Sequence, residues 1–483
     1  MNSTQLNLTQ LTALLPFLVI SATITVVMLA IAWRRHHRLT AALSVIGLNL
    51  TLLSLLPTWT AAAGPVAVTP LVVVDSLASF YMALVLVATL GVMTLCHAYF
   101  EGYKRDREEI YLLILLGALG GLTLACANHA ATLLIGLELL SLPMVAGVAY
   151  ATSDRRAIEG GAKYLVLSAG ASATLLFGLA LIYADTGRLD VVGLARVLAH
   201  AGPHSPMVLA GGAMLLAGLA FKLSIVPFHQ WTPDVYEAAP APVTAYLATV
   251  VKAGVFAAAL RLFHAAGVSP SPLVVKALVI LALASMIVGS LLALQQSNLK
   301  RLLAYSSIAH FGFLLIVLVA PGARSIEAAG VYMATYLITS LGVFGVIALV
   351  SSPAGPRDRE RLDEYQGLFW QRPYVVSILT AMMLSLAGIP LTAGFIGKFA
   401  AIAVGVESQL WLMVGGIVLG SAIGIYYYLR VISALFVPMP GYERVSESMS
   451  WAQSAGGVML LLSMLLMLAL GVYPEPLFQL ARP

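Results

Sequence analysis

The sequence predicts an all-α, polytopic membrane protein of about 14 transmembrane helices, built as two inverted five-helix repeats with helices 7 and 12 broken. Three observations predict it. The 483 residues are 60% hydrophobic and only 10% charged, with a mean hydropathy of +0.95; a soluble domain carries about 25% charged residues. Apolar runs of about 20 residues, the length that crosses a bilayer as a helix, follow one another through short polar links. Two of these runs, five apart in order, are interrupted by proline and glycine beside a lysine.

In chain order the spans fall near 11–33, 40–62, 76–99, 109–126, 129–150, 159–184, 206–238 (broken), 240–264, 272–294, 298–320, 326–350, 373–405 (broken), 409–437 and 453–474. A single transmembrane domain thus covers 1–483, with helices 1–3 in 1–100, the first repeat (helices 4–8) in 109–264, the second (helices 9–13) in 272–437 and helix 14 in 453–474. The opening "MNSTQLNLTQ" has no basic n-region, so the first apolar run is expected to be a retained span. The longest loop, "SSPAGPRDRERLDEYQGLFWQR" at 351–372, is too short for a soluble domain.

Alternate loops differ in charge. One set holds 16 of the 26 lysines and arginines, among them Arg34, Arg35, Arg38, Lys104, Arg105, Arg107, Arg155, Arg156, Lys163, Lys300, Arg301 and Arg444; the other holds 5. Basic loops stay in the cytoplasm, which puts both termini outside it.

The net charge of +5 and pI near 9.1 do not indicate nucleic acid, because the basic residues sit in short loops without interleaved aromatics. Cys96 and Cys126 lie in apolar runs and form no CxxC pair, so no zinc or iron–sulfur site is expected. No G-x-G-x-x-G motif joins a strand to a helix. His36, His37, His97 and His129 fall in loops or at span edges, which does not suit axial ligation of haem. The expectation is a chain without cofactor or metal.

Four ionisable residues fall near the middle of spans: Glu138 in "TLLIGLELLSLP", Lys222 in "AGLAFKLSIVP", Lys252 in "LATVVKAGVFA" and Lys398 in "TAGFIGKFAAI". Each costs about 2.5–3.5 kcal/mol at a helix centre on insertion scales. They could be static salt bridges that fasten helices together. One carboxylate, however, cannot neutralise three lysines. Desolvation favours the neutral amine, so the excess lysines point to groups that give up and regain a proton. His229 and His310 add stepping stones, since imidazole exchanges a proton near neutral pH. Ser306, Ser307, Tyr305 and Tyr246 are candidates to hold bridging water. Glu159 and Lys163, one turn apart, are candidate input residues on the cytoplasmic side, or else an ordinary surface pair worth a few tenths of a kcal/mol.

Pro227 follows Lys222 and is expected to break its helix by removing a backbone donor. At 388–398, "GIPLTAGFIGK", Gly388, Pro390, Gly394 and Gly397 precede Lys398. Irregular backbone at membrane depth is tolerated where protein or water satisfies it. Two such breaks at an odd offset are the mark of inverted repeats with sites at the interruptions.

The stretches "FKLSIVPFHQWTPDVYEAAPAPVTAYLATVVKAG", "NLKRLLAYSSIAHFG" and "SLAGIPLTAGFIGKF" resemble the antiporter-like subunits of respiratory complex I, the bacterial NADH–quinone oxidoreductase. The resemblance covers nearly the full length and is densest from 109 to 437. It implies fourteen helices, two inverted five-helix repeats and a polar axis in the mid-membrane plane. It implies that Glu138 on helix 5 pairs with Lys222 on helix 7, and that the pair passes protons through Lys252 on helix 8 to Lys398 on helix 12, with His229 and His310 in matching positions. NADH, FMN, iron–sulfur clusters and quinone are then expected in partner subunits. The partners implied are a neighbouring antiporter-like subunit, small membrane subunits and phospholipids. Subunits of multisubunit cation/proton antiporters and membrane-bound hydrogenases share much of this pattern and are the alternative.

Overall fold

The structure, a computed structural model, describes residues 7–60, 64–103, 107–200, 205–267, 269–352, 357–438 and 451–482. Lys104, Arg105 and Arg444 lie outside the described residues. The first helix, α1 (Leu8–Trp33), begins where the Gln10 side chain accepts from the Asn7 N–H at 3.1 Å. Then come α2 (His37–Leu53) and α3 (Leu56–Thr60). The stretch "VAVTPLVVV" forms a hairpin, β1 (Val66–Thr69) and β2 (Val72–Val74), with Val66 opposite Val74 and Ala67 opposite Val73. It is a small addition to an otherwise helical chain, and its β-branched residues are its sequence signal. Asp75 then caps α4 (Ser76–Phe100), accepting from the Ala78 N–H at 2.8 Å.

The chain continues through α5 (Glu109–Ala125), α6 (Ala130–Val148), α7 (Arg155–Thr186), α8 (Val191–His200), α9 (Pro206–Leu223) and α10 (Trp231–Ala238). Next, α11 (Ala241–Tyr246) runs through a π turn at Leu247–Val251 into α12 (Lys252–His264). The second half holds α13 (Pro272–Leu294), α14 (Leu299–Val319), α15 (Ala323–Val350), α16 (Leu368–Gln371), α17 (Pro373–Ala387), α18 (Ala393–Glu407), α19 (Trp411–Phe436), α20 (Trp451–Val472) and α21 (Glu475–Ala481).

Among the described residues, twelve helices are long and apolar enough to cross a membrane, and α5 and α17 are shorter apolar helices. Each of the fourteen expected segments carries helix.

Burial sorts these helices into an inner and an outer set. The continuous segment Ala241–His264 is buried up to Leu260 and, beyond it, at Leu262 and Phe263, and α14 and α15 are nearly all buried, whereas α1, α7 and α20 leave most of their residues at least partly exposed. Lys252 and His310 therefore ride on inner helices, where protein can satisfy them. Close approach of α7 and α9 brings serines of the one to the lysine of the other. The two cross at Gly178 and Gly211, where a Cβ on either would lie 2.7 Å from the other's carbonyl oxygen.

Candidate functional site: a buried polar axis at two broken helices

α9 ends before its proline. Ser224 takes a left-handed conformation (φ 62°), and the Ile225 N–H turns back to the Ala220 carbonyl at 2.8 Å. This is the closing bond of a helix C-terminus. The expectation that Pro227 makes the break is thus corrected by three residues: Pro227 lies in the connection 224–230, after the helix has stopped. The second break has the same construction. Gly388 is left-handed (φ 83°), and the Ile389 N–H bonds to the Leu384 carbonyl at 3.1 Å. Pro16 and Pro143, by contrast, sit inside α1 and α6 without ending them.

Lys222 is buried in the last turn of α9. Its Nζ donates to Ser141 Oγ of α6 at 2.7 Å and to Ser168 Oγ of α7 at 2.8 Å. Glu138, three residues before Ser141 and half-buried, instead accepts from the Ser172 hydroxyl, one turn beyond Ser168. The expected direct pair is not formed: among the described residues no carboxylate lies within 4.0 Å of Lys222 Nζ. Spacings of three and four residues put Glu138 with Ser141, and Ser168 with Ser172, on single helix faces. Hydroxyls therefore hold the acid and the lysine apart.

Lys252 opens α12 straight after the π turn, a distortion often found at functional positions. Its Nζ donates to Ser224 Oγ at 2.5 Å and approaches the Lys222 carbonyl at 3.4 Å. The rings of Trp231 and Phe311 lie 5.4 and 5.1 Å away, close enough for cation–π attraction. A non-glycine residue at positive φ costs about 1–2 kcal/mol, so the backbone at Ser224 is strained where this lysine docks.

His310 of α14 is buried between two tyrosines. Nδ1 lies 2.8 Å from the Tyr332 hydroxyl and Nε2 3.2 Å from the Tyr428 hydroxyl, which also bonds Ser306. Tyr336 donates to Ser307 at 2.8 Å. A hydroxyl both donates and accepts, so either tautomer of the imidazole finds partners.

Lys398 of α18 lies across the second break. Its Nζ donates to the Leu386 and Ala387 carbonyls at 2.9 and 3.0 Å, the last two of α17, with the Phe313 ring 5.6 Å away. Those carbonyls have no intrahelical partner, and the helix C-terminus carries partial negative charge. The broken end itself thus serves as acceptor for the ammonium group.

Of the other expected residues, Ser306 and Ser307 join the axis through Tyr428 and Tyr336. His229 lies half-buried in the connection after Ser224 and makes no hydrogen bond to Lys222, Lys252 or Lys398. Tyr246 and Tyr305 make no hydrogen bond to the axis; the Tyr246 hydroxyl is buried without a partner. Glu159 and Lys163 pair at 2.9 Å, but Lys163 also bonds Asp234 at 3.1 Å. Asp234 in turn holds Arg301 at 2.7 Å, and Arg301 holds Glu237 at 2.9 Å. These five residues line a pocket of about 220 Å³. Asp234, Glu237 and the acceptor serines and tyrosines were not singled out from sequence. "TPDVYEA" holds the signal for the acids, two carboxylates one helical turn apart facing the basic "LKR" of α14.

Ionisable side chains of α6, α9, α12, α14 and α18 are thus strung along two broken helix ends. Residues 127–424 match the family described as NADH:quinone oxidoreductase/Mrp antiporter, TM. The chain is 56% identical over 477 residues to NADH-quinone oxidoreductase subunit N of Ectopseudomonas mendocina, covering 98% of this chain and 96% of that one. To the subunit N of Chromohalobacter salexigens it is 54% identical over 475 residues, covering 98% and 99%. Among solved structures it is similar to a chain of respiratory complex I from Thermus thermophilus (33% identity, TM-score 0.81, 97% of this chain and all of that one). It also matches a chain of the archaeal membrane-bound sulfane sulfur reductase (26% identity, TM-score 0.85, 98% and 96%). A chain of the Mrp complex of Dietzia sp. DQ12-45-1b shares the fold (20% identity, TM-score 0.83, 98% and 96%). The chain belongs to the family of NADH-quinone oxidoreductase subunit N, the antiporter-like membrane subunits of complex I.

Proposed function

We propose that this chain carries protons across the bacterial inner membrane along Glu138, Lys222, Lys252, His310 and Lys398, driven by NADH-to-quinone electron transfer in partner subunits. The chain itself contributes no redox centre. One observation carries the reading. Three buried lysines, Lys222, Lys252 and Lys398, are held by hydroxyls, carbonyls and rings, and none lies within 4.0 Å of a carboxylate among the described residues. The molecule supplies its own contrast. Lys300 is equally buried, but it pairs with Asp358 at 3.0 Å and donates to the Ala239 carbonyl at 2.6 Å. That is how a fastening lysine is built. Neutral acceptors tolerate both the ammonium and the amine, whereas a carboxylate holds the charge in place.

The switch is Glu138. At 4 Å and an effective dielectric near 20, closing Glu138 onto Lys222 is worth about 4 kcal/mol, which holds the proton on the lysine. With Ser141, Ser168 and Ser172 between them, the attraction falls and the proton is free to leave toward Lys252. The matching ends of α9 and α17 support the reading of two repeats. Protons enter from the cytoplasmic side by the pocket of Glu159, Lys163, Asp234, Glu237 and Arg301, with both termini periplasmic. His229, beside the first break, is placed to exchange with water there rather than between the lysines.

The test is proton pumping per NADH oxidised by the intact complex in proteoliposomes. Lys222→Ala and Glu138→Ala should assemble and lose most pumping. Lys300→Met should lower the amount of complex, since it leaves Asp358 buried and unpaired at about 3–5 kcal/mol, yet each assembled complex should pump normally. Normal pumping by assembled Lys222→Ala would remove the relay.

A further inference from the structure

Ser224 stands where glycine is the ordinary residue. It is fully buried and left-handed at φ 62°, a conformation that glycine adopts freely and a side chain disfavours. The matching residue of the second break is Gly388. There the space is needed: a Cβ on Gly388 would lie 2.9 Å from Lys398 Cδ and 3.2 Å from its Nζ. At the first break the lysine arrives from another helix, and what it meets is an oxygen. Ser224 Oγ lies 2.5 Å from Lys252 Nζ and accepts from Thr232 Oγ1, also at 2.5 Å. Among the described residues, the one other hydrogen-bond acceptor of Lys252 Nζ is the Lys222 carbonyl, at 3.4 Å.

Resting on the relay reading above, we propose that Ser224 is a positioning residue for proton transfer: its hydroxyl, retained against the preference of its backbone, fixes the Lys252 side-chain nitrogen at the broken end of α9, near the Lys222 carbonyl. The serine accepts a hydrogen bond and keeps its own proton throughout. As the neutral amine, Lys252 is thereby held 3.4 Å from the Lys222 carbonyl, between the Trp231 and Phe311 rings, with a lone pair to take the proton that Lys222 releases. The strain at residue 224 is what the chain accepts for that placement.

The experiment compares Ser224→Gly, Ser224→Ala, Ser224→Asn and Thr232→Val in the intact complex, reading thermal stability and protons moved per NADH oxidised. Ser224→Ala keeps the Cβ and removes only the oxygen; Ser224→Gly also relieves the backbone. Both should assemble, and Ser224→Gly should be at least as heat-stable as the parent. Both should pump about tenfold less, the loss that follows from removing a hydrogen bond to a charged group. Ser224→Asn, which tolerates positive φ and offers an acceptor oxygen, should recover part of the pumping. Thr232→Val, which removes the other bond to Ser224, should pump at the parent level. Normal pumping by Ser224→Gly, or an equal loss in Thr232→Val, overturns the assignment while Lys252→Met remains defective. Normal pumping by Lys252→Met as well overturns the relay reading and this assignment with it.

Discussion

Lys252 and Lys300 are both sealed from solvent, yet one rests on a serine and the other on an aspartate. On the proposed relay, that difference at the scale of single residues separates a group that exchanges a proton from a group that fastens. Glu138 lies at the start of the axis, bonded to Ser172 and half-buried, so its charge acts on Lys222 over a gap filled by hydroxyls. Charge should then matter more than reach. Glu138→Asp shortens the side chain but keeps the field, and should retain more quinone-linked pumping than Glu138→Gln, which still accepts from Ser172 but carries no charge. The reverse order in proteoliposome pumping would count against an electrostatic switch. The four ionisable positions were legible in the sequence because a charge in the middle of an apolar run is expensive and therefore informative. Ser141, Ser168, Ser172, Tyr332 and Tyr428 were not. Serine and tyrosine are cheap in a membrane helix, and only the packing of α6, α7, α14, α15 and α19 shows which of them face Glu138, Lys222 or His310.

Among elements, both breaks were legible, Gly388 included, but the cause of the first was misread. Proline drew attention to both, yet each helix stops at a left-handed residue ahead of the proline, Ser224 or Gly388. The proline lies beyond the stop and keeps the helix from resuming there, since neither it nor the residue before it suits a helix interior. The freed carbonyls of α17 then become the seat of Lys398. Gly388→Ala should accordingly do two things. A side chain at φ 83° adds about 1–2 kcal/mol of backbone strain, and the new Cβ displaces Lys398. Thermal stability should fall modestly and pumping severely, with Lys398 itself unchanged. A variant that loses stability but pumps normally per assembled complex would show that Lys398 does not need its carbonyl seat. The π turn before Lys252 and the hairpin 66–74 escaped the sequence reading for different reasons. A π turn leaves no compositional mark, and a hairpin of seven ordered strand residues is lost among apolar spans.

For the molecule as a whole, composition and span length sufficed for the all-helical membrane architecture, and quoted motifs sufficed for the family. What sequence did not reveal is the sorting of helices by burial: Ala241–His264, α14 and α15 are the enclosed ones, and they carry Lys252, His310 and its Tyr332 partner. Periodicity carries no such information when a helix is apolar on every side. Packing of helix on helix lets three lysines persist in one chain, since each finds several neutral acceptors or rings that lipid would not provide.

The central claim is that these ammonium groups change protonation during turnover. Infrared difference spectra of the intact complex, built with nitrogen-15 lysine and triggered with NADH, test it most directly. Isotope-sensitive ammonium bands that appear in the difference spectrum, persist in Lys300→Met and vanish in Lys252→Met and Lys398→Met are the predicted result. Spectra indifferent to the label, with every lysine charged from rest through steady state, would contradict it.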